Sequence, residues 1–345
     1  MAMRKPLADD ELERFFQSDA GSYPFFDGHS TRHLDEPLAQ PPPLQCQQGS
    51  RNFHLSDKSI ARFIETGHIV VKGLVPADQL ADWRRQFWSA IGTSPSCPAD
   101  WPGEGWQGSV WQQNSRGPCV APLIPCLGHL PSVCAVAEQL GGATLAEGQR
   151  PKLPNRPQEP IDHAVTQWPT DVAAAQWTEN PKRGHIDGAN PPKGGWIGGT
   201  MLVASVYLQD VKPGGGGTWI WPGSHRAIAR FFSAHPDRYL SGCFHNSWGI
   251  GSEFGENDLS QYGLSAQTSS VENTMDAGDV SFSHGMLVHT AVPNLLAGTV
   301  RVGVFSRWHH KSLGIIRSDV PNPTEMWKHW EGNAIQRAAP GLARL

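Results

Sequence analysis

This 345-residue chain lacks several sequence features that by themselves identify a class of protein. Its six cysteines form no Cys-x-x-Cys pair, and their spacings fit no usual zinc site. No apolar run approaches the length of a membrane span, and the N-terminus lacks the apolar core of a secretory signal. We therefore expect a reduced, cytoplasmic protein with ordinary thiols, in which Cys119 and Cys126 are the one pair that could in principle form a disulfide.

Charge is also scarce, since only 17% of the residues are charged and the formal net charge is −4. No run rich in lysine or arginine stands out, which argues against nucleic acid or an anionic membrane as the main partner. A hydrophobic content of 39% is typical of a folded domain. We therefore expect a small-molecule partner, and no feature of the sequence specifies an oligomeric state.

The proline pattern divides the chain into three parts. Residues 1–50 are expected to form an irregular N-terminal arm, because Pro37 and Pro41 to Pro43 interrupt regular structure. Residues 51–312 have the patterns of one domain, and residues 313–345 are expected to be a C-terminal extension packed on it.

Helical patterns come first in the domain and strand patterns follow. Ser56 is a plausible N-cap for a helix that Gly67 ends, Pro76 opens a second helix, and residues 130–141 predict a third. The segment Thr200–Leu208 is continuously apolar, as in a strand buried on both faces. Further strands are predicted at 68–72, 218–221, 279–282, 286–292 and 299–308, with a helix at 228–233. The pattern predicts a mainly β sandwich or jelly roll with a helical layer.

The motif His185-x-Asp187 is the first candidate for chemistry. In an extended segment, residues two apart point to the same side, so one strand end can supply an imidazole and a carboxylate. Two histidines and one carboxylate form the facial triad of non-haem Fe(II) oxygenases. Alone the motif is weak, because such a pair is more often a surface turn.

The last predicted strand supplies a second candidate. Along residues 299–308, Arg301 shares a face with Gly303, Phe305 and Arg307, while valines occupy the other face. The valine face would pack on the helical layer, which leaves Arg301 inside the sandwich. A buried guanidinium without a partner is very costly, so a bound anion is expected there, held by the planar fork of the arginine.

Because of the order and spacing of these motifs, the chain resembles the phytanoyl-CoA dioxygenase family of Fe(II)/2-oxoglutarate-dependent oxygenases over about residues 56–310. The resemblance depends on segments that are weak singly and specific together. They are Gly-His-Ile-Val-Val-Lys72-Gly, His185-x-Asp187, Gly-Thr-Trp-x-x-Pro-Gly-Ser-His225, Gly-Asp279, His289-x-x-x-Pro-Asn294 and Arg301.

This resemblance implies a double-stranded β-helix, the cupin-like jelly roll. It also implies that His185, Asp187 and His289 bind Fe(II), and that Arg301 binds the distal carboxylate of 2-oxoglutarate. Ser205 and Gln167 stand where relatives contact this cosubstrate. With O2, such a site hydroxylates or otherwise oxidises a small organic substrate and releases succinate and CO2. Halogenating relatives have a small residue at the carboxylate position, so Asp187 favours oxygen insertion.

Several alternatives remain open at this point. His284 is the rival of His289 for the metal position. A cupin-like metalloenzyme that does not use 2-oxoglutarate, or a non-catalytic binding protein, would have the same scaffold. Gly214–Gly217 is interpreted as a hairpin turn rather than a phosphate cradle. The 14 tryptophans, among them Trp168, Trp177, Trp196 and those of 101–111, suggest a partly aromatic substrate pocket.

Overall fold

The computed structural model describes twelve stretches of the chain. They are residues 54–101, 127–142, 145–146, 163–169, 183–186, 200–240, 247–249, 259–264, 268, 270–311, 316 and 318–338. The predicted N-terminal arm and most of the loop segment before the third helix lie outside the described residues.

The described helices are mostly in the first half of the domain and at its end. They are α1 (Asp57–Thr66), α2 (Ala77–Ile91), α3 (Pro131–Gly141), α4 (Ser224–Ala234), α5 (Pro236–Leu240) and α6 (Asn333–Ala338). The strands are β1 (His68–Val71), β2 (Leu145–Ala146), β3 (His163–Gln167), β4 (Arg183–His185), β5 (Thr200–Tyr207), β6 (Trp219–Ile220), β7 (Ser247–Gly249), β8 (Val271–Glu272), β9 (Val280–His284), β10 (His289–Thr290) and β11 (Arg301–His310).

The strands form two antiparallel sheets. The major sheet has the order β1-β9-β5-β11-β2, with β3 paired to the beginning of β11. The minor sheet has the order β7-β4-β10-β6-β8. From β3 onward the chain passes repeatedly between the two sheets, which is the connectivity of a jelly roll. The predicted fold class, a mainly β double-stranded β-helix with a helical layer, is confirmed.

Helix α1 shows why local sequence patterns predict an element of this fold. The Ser56 hydroxyl accepts a hydrogen bond from the Ser59 amide at 3.1 Å, and Gly67 ends the helix with φ +74°. Ile60, Phe63 and Ile64 form its buried stripe. The predicted helix and both of its boundaries are confirmed.

The two faces of the major sheet have different partners. Val302 and Val304 on β11 are almost fully buried on the outer face, which the helices cover. Arg301 and Gly303 alternate with them and lie on the inward face, beside Gln167 and Tyr207 of the neighbouring strands. The minor sheet lies over this inward face, since the amide of Thr218 just before β6 donates to the Tyr207 hydroxyl at 2.8 Å.

Two predicted elements differ from the structure. Helix α4 begins at Ser224, four residues before the predicted start, because Gly223 takes φ +82° and turns the chain directly into the helix. The strand predicted at 286–292 contains only the pair His289–Thr290. A turn precedes this pair, in which the Leu287 amide donates to the His284 carbonyl at 2.8 Å.

Trp168 corrects the expectation of an aromatic substrate pocket. It is 1% exposed and packs against Phe87 and Trp88 of α2, at ring-centroid distances of 6.4 and 6.2 Å. It therefore joins the helical layer to the sheet and does not line the inward face. Trp177 and Trp196 lie outside the described residues.

The segment before α6 packs on the outer side of the domain. Trp327 and Trp330 lie 5.8 and 5.6 Å from the ring of Phe63 on α1. None of the helices in the described ranges has the length and apolar character needed to cross a bilayer.

Candidate active site

Two of the predicted metal ligands lie side by side in the minor sheet. His185 of β4 pairs with His289 of β10 in register, and the centroids of their rings are 4.3 Å apart. Residues that are directly opposite in an antiparallel pair present their side chains on the same face. The structure thus brings together two imidazoles that are 104 positions apart in the sequence.

The proton on His289 is fixed by the backbone. Nδ1 of its ring lies 2.9 Å from the carbonyl oxygen of Leu287, which can only accept, so Nδ1 carries the hydrogen. In this tautomer Nε2 is the nitrogen that would bind a metal. The ring orientation is fixed by the same hydrogen bond.

Close packing holds β4 against β10. A Cβ atom on Gly184 would lie 2.5 Å from Cγ1 of Val288 and 2.9 Å from the Trp221 ring, so only glycine permits this approach. The Val288 amide donates to the Ser224 hydroxyl at 2.8 Å, which ties β10 to the start of α4. The segment ending in Ser224 and His225 therefore supports the strand that carries His289.

Asp187, the third predicted ligand, lies outside the described residues. The described ranges contain no group of three or more His, Cys, Asp or Glu side chains that could hold a metal ion. The role of Asp187 stays a prediction.

His284, the rival metal ligand, occupies a different environment. It lies on the outer face of β9, stacks on Trp330 at 5.0 Å and is 5.3 Å from the ring of His225. Its Nδ1 accepts a hydrogen bond from the Met286 amide at 3.0 Å. Burial, and then the neighbouring His225, lower the pKa of His284 well below its usual range. This packing favours His289 over His284 as a ligand.

Arg301 lies on the inward face of the major sheet and is 2% exposed. Its Nε donates to the carbonyl oxygen of Gly216 at 2.8 Å, and a second guanidinium nitrogen lies 3.4 Å from that of Val165. The Tyr207 ring stands 5.6 Å from the guanidinium carbon. No carboxylate in the described part of the chain forms an ion pair with Arg301.

The electrostatic position of Arg301 is unusual. Burial lowers its pKa, while Tyr207 and Glu272 act in the opposite direction. An arginine side chain nevertheless keeps its proton in proteins, so a positive charge is buried against carbonyl oxygens and an aromatic ring. Such a charge is stabilised best by an anion that binds beside it.

The two remaining predicted site residues lie on the same inward face. Gln167 pairs with Arg301 in register and is 1% exposed, and its side-chain oxygen has no hydrogen-bond partner among the described residues. Ser205 pairs with Phe305, further along β11, and its hydroxyl is 2.9 Å from that of Ser281. Gln167 is thus adjacent to the buried cation, whereas Ser205 is four residues away along the strand.

Sequence reasoning missed the residues that surround Arg301. Asn294 is fully buried, and its side-chain amide donates to the carbonyl oxygens of Gln167 at 3.2 Å and Thr299 at 2.8 Å. Glu272 accepts hydrogen bonds from the glycine turn that contacts Arg301. Asn294 could have been found from its place in the motif with His289, whereas no local pattern singles out Glu272.

Comparisons with solved structures give distant similarities. The non-heme alpha ketoglutarate dependent carbocyclase SnoK from nogalamycin biosynthesis is 16% identical, with 74% of this chain and 84% of that chain covered and a TM-score of 0.43. EctD from S. alaskensis is 16% identical, with 74% and 77% covered and a TM-score of 0.44. HygX from Streptomyces hygroscopicus, with nickel and 2-oxoglutarate bound, is 14% identical, with 75% and 88% covered and a TM-score of 0.38.

No curated protein matches the chain in sequence. The family model of phytanoyl-CoA dioxygenase (PhyH) matches residues 63–301, a span that begins in α1 and ends at Arg301. This span covers more than half of the chain and includes His185, Asp187 and His289. The chain therefore belongs to the phytanoyl-CoA dioxygenase family.

Proposed function

We propose that the protein is an Fe(II)- and 2-oxoglutarate-dependent dioxygenase that hydroxylates a small organic substrate, with release of succinate and CO2. The observation that carries the proposal is the buried Arg301 guanidinium, which forms no ion pair with a carboxylate in the described part of the chain. Family membership supports the same cofactor and cosubstrate.

The side chains fit this iron and its cosubstrate. His185 and His289 are neighbours in register, and the hydrogen bond from Nδ1 of His289 to the Leu287 carbonyl makes Nε2 the nitrogen that would bind a metal. Asp187, two residues after His185, would complete a facial triad and leave the other face open. Arg301 would hold the distal carboxylate of 2-oxoglutarate, with Gln167 beside it and Ser205 as a further contact.

The bound iron, 2-oxoglutarate and O2 would together supply an oxidant that inserts oxygen into a substrate C–H bond. The protein residues position the reactants. The hydrogen bond to the Leu287 carbonyl fixes the ring of His289, and the two sheets enclose Arg301 away from water. A carboxylate at Asp187 would fill the place that a halide would need, which favours hydroxylation or a related oxidation.

The metal assignment is tested by succinate formation from 2-oxoglutarate in the presence of Fe(II). We expect the His185→Ala, Asp187→Ala and His289→Ala variants to lose this activity, because each removes a metal ligand. His54→Ala is the matched control, since His54 is exposed at the start of the described domain. Equal turnover in all four variants and the parent would contradict the assignment.

The cosubstrate assignment is tested by anaerobic calorimetry on the metal-loaded protein. Arg301→Ala should weaken 2-oxoglutarate binding by roughly 10- to 100-fold, because hydrogen bonds between charged groups contribute about 1.5–3 kcal/mol. Metal affinity should be nearly unchanged. If the parent binds metal but gives no heat with 2-oxoglutarate, the protein is instead a cupin-like metalloprotein that does not use this cosubstrate.

A further inference from the structure

The glycine turn that precedes β6 is organised by one carboxylate. Glu272 on β8 accepts hydrogen bonds from the amides of Gly214 at 2.7 Å and Gly217 at 2.8 Å, one with each oxygen. The turn is closed by a third hydrogen bond, from the Gly215 amide to the Lys212 carbonyl at 2.8 Å. Both oxygens of Glu272 are thus used to fix a turn that lies in a different strand connection.

This turn presents a carbonyl group to the buried cation. The carbonyl oxygen of Gly216 accepts the hydrogen bond from Nε of Arg301 at 2.8 Å. Gly216 has φ +78°, and a Cβ atom at this position would lie 3.0 Å from Asn294 and 3.1 Å from Gln167. The position of the Gly216 carbonyl therefore helps to set the orientation of the Arg301 fork.

Glu272 also acts on Arg301 through charge. It lies on the edge strand of the minor sheet and is half-buried. Its carboxylate stabilises the protonated guanidinium electrostatically, and this effect opposes the cost of burial. The same side chain is therefore linked to Arg301 in two ways, by the hydrogen-bonded turn and by its charge.

We propose that Glu272 is a positioning residue for the carboxylate anchor, acting on Arg301 through the Gly214–Gly217 turn. This inference depends on the proposed function, in which Arg301 binds the distal carboxylate of 2-oxoglutarate. Without Glu272, two turn amides lose their acceptors and the Gly216 carbonyl is released from its position. The effect is confined to ligands that carry a distal carboxylate, because Glu272 is not placed among the metal ligands.

The test compares two metal chelators by anaerobic calorimetry on the metal-loaded protein. 2-Oxoglutarate has a distal carboxylate, whereas oxalate chelates a metal without one. Glu272→Ala should weaken 2-oxoglutarate binding about tenfold, the effect of losing one hydrogen bond between a misoriented Arg301 and the distal carboxylate, and leave oxalate binding unchanged. Glu272→Gln should lose less affinity for 2-oxoglutarate, since the amide oxygen of the glutamine can still accept a hydrogen bond from one N–H of the turn. Glu138→Ala, which removes an exposed carboxylate of α3, should match the parent.

A double-mutant cycle with Arg301 separates this inference from the proposed function. The Arg301→Ala, Glu272→Ala double variant should bind 2-oxoglutarate no more weakly than Arg301→Ala alone. The role of Glu272 would be overturned if the losses of 2-oxoglutarate affinity in the two single variants were additive. It would also be overturned if Glu272→Ala lost equal affinity for oxalate and 2-oxoglutarate, or bound 2-oxoglutarate like the parent. If Arg301→Ala itself binds 2-oxoglutarate like the parent, the cosubstrate assignment fails instead. If circular dichroism shows that Glu272→Ala does not fold, the affinities of Glu272→Gln for 2-oxoglutarate and oxalate are compared instead.

Discussion

Two glycines of one turn provide a controlled test of how the site is packed. Gly214 and Gly216 have nearly equal positive φ angles, +80° and +78°. Substitution by alanine therefore imposes a similar backbone cost at both positions. The surroundings differ, since a Cβ atom at Gly214 meets no atom within 4 Å, whereas at Gly216 it lies 3.0 Å from Cβ of Asn294 and 3.1 Å from Cβ of Gln167.

The expected free energies of unfolding follow from these contacts. A left-handed conformation costs an L-residue about 1–2 kcal/mol, and this cost applies to both variants. Gly216→Ala carries an additional cost of about 1–3 kcal/mol, because Asn294 and Gln167 are buried and have little room to move. The difference between the two variants thus isolates the packing of Gly216 against its neighbours.

Urea unfolding followed by circular dichroism measures both free energies, and calorimetry measures 2-oxoglutarate binding. Gly216→Ala should be the less stable variant and should bind 2-oxoglutarate more weakly, because its carbonyl accepts from Arg301. Gly214→Ala should retain nearly the affinity of the parent. Equal destabilisation in the two variants would refute the packing argument, and equal affinities would refute the link between the Gly216 carbonyl and the anchor.

Three further predictions follow from the hydrogen bonds and pKa values. Asn294→Ala should lower the free energy of unfolding by about 2–3 kcal/mol, because it leaves buried backbone groups without partners, and a loss below about 0.5 kcal/mol in urea unfolding would contradict this role. Burial lowers the pKa of His225 to about 3, below its ordinary value of 6.5, so the unfolded chain binds more protons and stability falls as the pH decreases through 6.5. This histidine alone should contribute about 1.5 kcal/mol of that loss between pH 6.5 and 5, and His225→Gln should have a correspondingly smaller pH dependence in urea unfolding; an unchanged dependence would contradict the assignment. Ser205→Ala should lower the free energy of unfolding by about 1 kcal/mol, because the Ser281 hydroxyl loses its hydrogen-bond partner. It should also raise the KM for 2-oxoglutarate, as expected for a residue that contacts the cosubstrate, and an unchanged KM would limit Ser205 to a structural role.

Local chemistry explains which parts of the fold were predictable. The cap at Ser56 and the left-handed Gly67 define the two ends of α1, and the continuous apolar run from Thr200 defines β5. Both elements are present in the structure. The alternation along β11 also predicts that Arg301 lies on the face opposite the helix-covered valines, as the structure shows. These features depend only on residues close in sequence.

The features that could not be predicted depend on distant parts of the chain. The abundance of tryptophan suggests a pocket that includes Trp168, but the neighbours of Trp168 in space are Phe87 and Trp88, about 80 residues earlier. Glu272 stands in a two-residue strand without a motif, and its role arises only from the turn that β6 brings beside it. Tertiary contacts of this kind leave no periodic signal in the sequence.

The position of His284 shows that tertiary contacts also decide between the candidate metal ligands. His284 and His289 are only five positions apart, so both are candidate ligands in the sequence. Strand pairing distinguishes them, because His289 pairs with His185 while His284 packs between His225 and Trp330 on the opposite side of the major sheet.

The most direct measurement is the visible absorption of the Fe(II)-loaded protein on anaerobic addition of 2-oxoglutarate. Chelation of Fe(II) by a 2-oxo acid produces a charge-transfer band, so the band reports metal and cosubstrate in one site. We predict the band in the parent and in His54→Ala, its loss in His185→Ala and His289→Ala, and its appearance only at higher 2-oxoglutarate concentration in Arg301→Ala. A parent protein that binds Fe(II) without developing the band, or a band that persists unchanged in both histidine variants, would contradict the proposed site.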